Sequence, residues 1–169
     1  SGMMESGPAL SSILTMLHQA RHDLRLKIVG PLSLAVEKGA VFDYFDEVRK
    51  VIEGASTDIF FVDPYLDAEF VSRYLPNVRP GVTVRLLGQH CLPTLLPAVE
   101  LFTKQHQVPT ETRASTSLHD RFLFVDRTAC YQSGASFKDG AKKSPTTLTQ
   151  IIDAFVPLQN TYESLWASA

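Results

Sequence analysis

Between Asp58 and Asp63 the chain reads D-I-F-F-V-D, a short apolar run closed at both ends by a carboxylate. A run of that length without polar alternation predicts a strand buried on both faces. A second such run spans Val82 to Leu87, and a helical segment over about 66–77 and the breaker Pro80-Gly81 separate the two. Strand, helix and strand in that order predict a β-α-β unit with parallel strands. Asp63-Pro64 marks the end of the first strand, where the aspartate can cap a helix and the proline can take its first position.

The same patterning extends both ways. Leu10, Ile13, Leu14, Leu17 and Leu24 share one helical face behind Ser11 and Ser12. Gly30-Pro31 interrupts it, and residues 26–39 read as an irregular connection or a short strand pair. Val41, Phe45, Val48 and Ile52 predict a helix over about 40–54. Beyond the β-α-β unit come a helix over about 94–105 (Leu95, Val99, Phe102) and a weak strand near 109–113. Strands at Phe122–Val125 and Ala129–Gln132 follow, joined by Asp126-Arg127-Thr128, then a strand at Leu148–Ile152. A last helix over about 154–167 is expected to bury Phe155, Leu158, Tyr162, Leu165 and Trp166. The expected fold class is α/β, a single domain with a mixed β-sheet flanked by helices. Residues 1–8 carry no periodicity and read as disordered. Ser1-Gly2-Met3 reads as a cloning remnant, so 9–169 is taken as the domain, of a size to have been cut from a larger protein.

Composition narrows the function. With 169 residues, 44% hydrophobic and 20% charged, the chain is long enough for a sizeable core. A net charge of −2 excludes a surface that grips nucleic acid by bulk charge and leaves that work to a local patch. Cys91 and Cys130 lack C-x-x-C spacing and read as reduced thiols, with one disulfide as the alternative. No run is long and apolar enough to span a membrane and no signal peptide is visible, so a cytoplasmic location is expected. His18 and His22 lie four apart, but Gln-Ala-Arg between them lacks the glutamate of H-E-x-x-H, and no metal is expected there.

The candidate chemistry lies in Leu118-His119-Asp120-Arg121-Phe122-Leu123-Phe124-Val125-Asp126 and, after a short gap, Gly134-Ala135-Ser136-Phe137-Lys138-Asp139-Gly140. A phosphodiester repels nucleophiles and has a poor alkoxide leaving group. Cleavage therefore needs cationic donors, an in-line nucleophile and an acid. His119 can attack through one ring nitrogen if a carboxylate holds the other. In an extended segment Arg121 leaves the same face, and its planar fork can take two phosphate oxygens. Asp126, seven residues on, is better placed to order the next turn than to partner His119. The Gly134-Ala135-Ser136 turn can offer backbone N–H groups and the Ser136 hydroxyl, with Lys138, Lys142 and Lys143 beside it. Asp63 and Tyr65 are expected at the pocket border, because strand C-terminal ends collect ligands in open α/β sheets. Asp67 and Glu69 read as an acidic first helical turn rather than a cation site. His90-Cys91 follows the second strand and reads as a plain loop near the same edge.

This array resembles the half-site signature of the phospholipase D superfamily, H-x-K-x-x-x-x-D followed by a Gly-Ser turn. By that resemblance His119, Arg121 and Asp126 correspond to the motif histidine, lysine and aspartate, and Gly134 to the glycine of the turn. Ala135 replaces the serine and Phe137 a frequent asparagine, so Ser136 and Lys138 would join Gly134 in holding the phosphate. Arginine for lysine keeps the charge and changes its reach. With Asp63-Pro64-Tyr65-Leu66-Asp67 and Arg79-Pro80-Gly81-Val82, residues 55–145 are similar to a bacterial single-motif branch of phospholipase D-like domains. The resemblance implies a phosphodiesterase that needs neither metal nor cofactor and works through a phosphohistidine on His119. The implied substrate is a phosphodiester, nucleic acid before phospholipid headgroup. It also implies a homodimer, since one motif supplies one histidine. The alternatives are a non-catalytic module that binds headgroups or nucleic acid, and a dimerising effector or adaptor domain of a larger protein.

Overall fold

In the computed structural model, which describes residues 31–169, the apolar runs become the centre of one sheet. The helix expected over Leu10–Leu24, with His18 and His22, lies outside the described residues. The elements are β1 (Ser33–Val36), α1 (Val41–Glu53), β2 (Asp58–Val62), α2 (Ala68–Tyr74) with a 3-10 turn (Leu75–Asn77), and β3 (Thr83–Gly88). They continue with α3 (Leu92–His106), β4 (Thr110–Ala114), β5 (Phe122–Val125), β6 (Ala129–Ser133), β7 (Thr146–Ile151) and α4 (Phe155–Ser168). The sheet order is β1-β7-β6-β5-β2-β3-β4. β2 pairs parallel with β3, and β3 with β4, whereas β5, β6, β7 and β1 pair antiparallel. The expected β-α-β unit and mixed sheet are both present.

This pairing fixes where chemistry can gather. Leu87, Val62, Phe122 and Gln132 stand side by side in register. The C-terminal ends of β2, β3 and β6 therefore share one rim with the start of β5, so residues 63–65, 88–91, 118–121 and 133–138 meet although they are far apart in sequence.

The two faces of the sheet are covered differently. Phe60, Val62, Leu87, Phe122, Phe124 and Cys130 form one face with Leu118, and Trp166 of α4 seals it. The Trp166 ring meets Phe60 edge-on at 5.4 Å. Burial pushes the Cys130 thiol up to about 12. Of the five α4 residues expected to be buried, only Trp166 is; Phe155, Leu158, Tyr162 and Leu165 pack against the cluster half-covered. The Arg85 guanidinium ties α4 to the sheet, between Asp58 (3.1 Å) and Glu163 (2.7 Å).

On the opposite face Phe61 packs edge-on against Phe70 (4.8 Å) and Phe137 (5.1 Å). Here α1 buries Tyr44, Val48 and Ile52, with Tyr44 deeper than the expected Val41 and Phe45. Its hydroxyl finds Ser133 Oγ at 2.6 Å, which lets a tyrosine occupy the core. Gly140 makes this possible, since a Cβ there would lie 2.1 Å from the Tyr44 ring. The N-cap of α2 is Asp67, whose carboxylate accepts from Phe70 N at 3.0 Å, and not Asp63. Among the described residues no helix is long and apolar enough to cross a membrane.

Asp126 lies at the opposite rim from His119. Asp126 and Arg127 both have positive φ (53° and 57°), and Thr128 N donates to Val125 O at 3.0 Å, a type I′ hairpin turn. The Asp126 carboxylate accepts from the N–H groups of Ser56 (3.0 Å), Thr57 (2.7 Å) and Asp58 (3.1 Å) and from the Thr57 hydroxyl. The structure thus brings Asp126 to the entry of β2 and not to the histidine it follows in the motif. Burial works against its ionisation, but these hydrogen bonds prevail and hold its pKa below the usual carboxylate value. A lowered folded-state pKa stabilises the protein above the ordinary carboxylate range, and the benefit is lost as pH falls through the lowered value. Asp126→Asn is expected to cost about 1 kcal/mol at neutral pH, discounted for partial exposure. The gap from wild type should close in acid when thermal unfolding is followed against pH; a gap constant with pH would contradict the anchoring role.

Candidate active site

The rim is organised around Asp63, the first residue after β2, whose side chain is fully buried. One carboxylate oxygen accepts from Tyr65 N at 2.8 Å. The other accepts from the Ser136 hydroxyl and from Phe137 N, both at 2.8 Å. Burial raises the Asp63 pKa, opposed by these three hydrogen bonds and by the charge of Arg121. Asp63 thereby holds the Gly134-Ala135-Ser136 turn to the end of β2.

Other buried groups hold the same turn. Tyr74 donates its hydroxyl to Phe137 O at 2.8 Å, and Ser133, itself bonded to Tyr44, donates to Ala135 O at 2.7 Å. Gly134 N donates to Thr147 O at 2.9 Å, and a Cβ on Gly134 would come within 3.0 Å of Thr147 Oγ1. The Ser136 hydroxyl is spent on Asp63 and does not face the opening as the sequence suggested. The backbone N–H groups of Ser136 and Lys138 make no hydrogen bond among the described residues and are the donors this turn retains.

His119 reaches the rim through a loop clamped by Gln89, a residue that sequence reasoning passed over. Gln89 accepts from Leu118 N at 3.0 Å and donates to Thr116 O at 3.1 Å, while Ser115 N donates to Gly88 O. Leu118 is buried in the core, so the next residue is fixed at the surface. The His119 imidazole is exposed and makes no hydrogen bond among the described residues. Arg121 joins the two halves of the motif, donating to His119 O (3.1 Å) and to Gly134 O (2.6 Å). Its Nε is buried without a partner among the described residues. Three of its five N–H groups remain for a ligand or for the interior.

The lysines beside the turn are largely compensated. Lys138 pairs with Asp67 at 3.1 Å, and Lys142 with Glu69 at 3.0 Å. Burial alone would lower the Lys138 pKa, but Asp67 and its hydrogen bond raise it. Lys143 is exposed. The acids at the start of α2 are thus lysine partners, and Asp67 is also the helix cap. Tyr65 is 44% exposed, its ring 5.0 Å from that of His90. Among the described residues no group of three or more His, Cys, Asp or Glu side chains is arranged to hold a metal ion.

No family model matches the chain, and no curated protein matches it in sequence. Solved structures share its fold. NucT from Helicobacter pylori superposes with a TM-score of 0.63 at 9% identity, over 82% of this chain and 98% of that one. Nuc from Salmonella typhimurium, a phospholipase D family member, gives 0.57 at 14% identity, over 82% and 93%. TrmBL2, an archaeal chromatin protein with its own mode of DNA binding, gives 0.57 at 13% identity, over 99% and 67%.

Asp63→Ala would leave the Ser136 hydroxyl and Phe137 N–H buried without acceptors. The expected loss is about 3 kcal/mol in urea unfolding, with faster amide exchange at Phe137. Wild-type stability in that variant would contradict the anchoring role.

Proposed function

We propose that this chain, whose fold is phospholipase D-like, is a phosphodiesterase that acts on nucleic acid through a phosphohistidine on His119. The observation that carries the reading is the meeting of an exposed His119, the Arg121 fork and the turn held by Asp63 at one rim of the sheet. An imidazole nitrogen of His119 attacks phosphorus as the bond to the leaving oxygen breaks. Arg121, Lys138 and the free amides of Ser136 and Lys138 stabilise the charge on the non-bridging oxygens. Water then cleaves the N–P bond and releases a phosphomonoester. No step calls on a metal.

Two considerations favour nucleic acid over a phospholipid headgroup. TrmBL2, with which the fold is shared, binds DNA. The side chains exposed at the rim, those of Tyr65, His90, His119 and Asp120, all carry polar groups. A phosphate can compete for Lys138 and Lys142, because partly exposed ion pairs are worth little in water.

The leaving oxygen also needs a proton donor. It comes from His119 of a second copy across a two-fold axis, which makes a homodimer the working form, or from another group of the same chain. A second reading, a phosphate-binding module without turnover, is favoured by one observation: no carboxylate orients the His119 ring among the described residues.

The test is hydrolysis of bis-p-nitrophenyl phosphate by the pure protein in excess chelator. His119→Ala should lower the rate by about a thousandfold or more without changing the unfolding midpoint. Equal rates in wild type and variant would overturn the phosphohistidine. Saturable phosphate binding without turnover would establish the second reading.

A further inference from the structure

The loop after β3 carries a second histidine, His90, at the same rim as His119. Gln89 and Leu118 are joined directly by a 3.0 Å hydrogen bond, and each is the chain neighbour of a histidine, His90 on one side and His119 on the other. On the far side of His90, Cys91 is the N-cap residue of α3, so the loop is short and tied at both ends. The His90 ring itself is exposed and lies against Tyr65, with centroids 5.0 Å apart and planes 31° apart. Two further contacts fix that arrangement. His90 N donates to Pro64 O at 2.8 Å, and Tyr65 N is held by Asp63 Oδ1 at 2.8 Å. The buried carboxylate thus holds the turn with one oxygen and the support of the His90 ring with the other.

We infer that His90 is the general acid of the reaction, supplied within the same chain, so that one copy holds both histidines. This inference rests on the phosphodiesterase reading above and names the donor which that reading requires. When a His119 nitrogen bonds to phosphorus, the electron pair of the breaking P–O bond stays on the leaving oxygen, which takes a proton from a ring N–H of His90. Neutral His90 then takes a proton from the water that attacks the phosphohistidine. His119 is released, and the sum is phosphodiester plus water giving phosphomonoester plus alcohol. Among the described residues the His90 side chain has no hydrogen bond to lose, and glutamine keeps a polar group of similar length.

The experiment compares two substrates, bis-p-nitrophenyl phosphate, whose leaving group needs no proton, and a dinucleotide, whose alkoxide does. In His90→Gln the loss on the dinucleotide should exceed the loss on the aryl ester by about a hundredfold. His119→Gln should lose both. Wild-type specific activity on the dinucleotide should stay constant on dilution from micromolar to nanomolar protein. Equal losses on the two substrates in His90→Gln, or full dinucleotide activity in that variant, would overturn the assignment and leave His119 as nucleophile. Specific activity that falls on dilution would point to a second copy's His119 and overturn it as well. A wild-type protein that hydrolyses neither substrate would remove the phosphodiesterase reading and the acid with it.

Discussion

A buried carboxylate needs donors, because in a low-dielectric interior an unpaired charge is far more costly than in water. Asp63 meets that need with Tyr65 N, Phe137 N and the Ser136 hydroxyl, and the charge of Arg121 faces it. Each donor belongs to a segment that the backbone alone would leave free. The requirement to satisfy one carboxylate therefore fixes the loop after β2 and the turn after β6 relative to each other. The tyrosine hydroxyls of Tyr44 and Tyr74 complete this from the helical side. Stability and site geometry depend on the same few bonds.

The strand order makes this economy possible. With β5 antiparallel to β2 and β6, and β2 parallel to β3, one rim receives three strand ends and one strand start side by side. Arg121 then bridges the histidine loop and the glycine turn through two backbone carbonyls. The planar fork suits this task, since two of its nitrogens serve the two carbonyls at once. The lysines are neutralised by the start of α2, which agrees with a net charge of only −2. With Lys138 and Lys142 paired, these two lysines add no standing positive field to the rim.

Most of the fold was legible because periodicity and apolar runs are local properties. The β-α-β unit, the β5–β6 hairpin and the last helix stand within a few residues of where the pattern puts them. Misplacements occurred where a distant partner decided the matter. Tyr44 displaces Phe45 from the deepest position because Ser133, 89 residues away, receives its hydroxyl. The Ser136 hydroxyl turns inward because Asp63, 73 residues away, needs a donor. That same demand leaves Asp67 to cap α2. The spacing of Asp126 did reveal a turn residue, yet its partners at Ser56–Asp58 carry no local signal. Gln89 was passed over because a glutamine at a strand end has many plainer uses. His90 was visible as a residue near the same edge, and only the sheet order puts its loop and the His119 loop at one rim.

The central claim is that this rim receives a phosphate between His119 and the turn held by Asp63. Nitrogen-15 NMR titration of the folded protein with inorganic phosphate tests it most directly. Saturable shifts are expected at the amides of Ser136 and Lys138, the Arg121 side chain and the His119 ring. Shifts confined to other surfaces, or none at saturating phosphate, would contradict it.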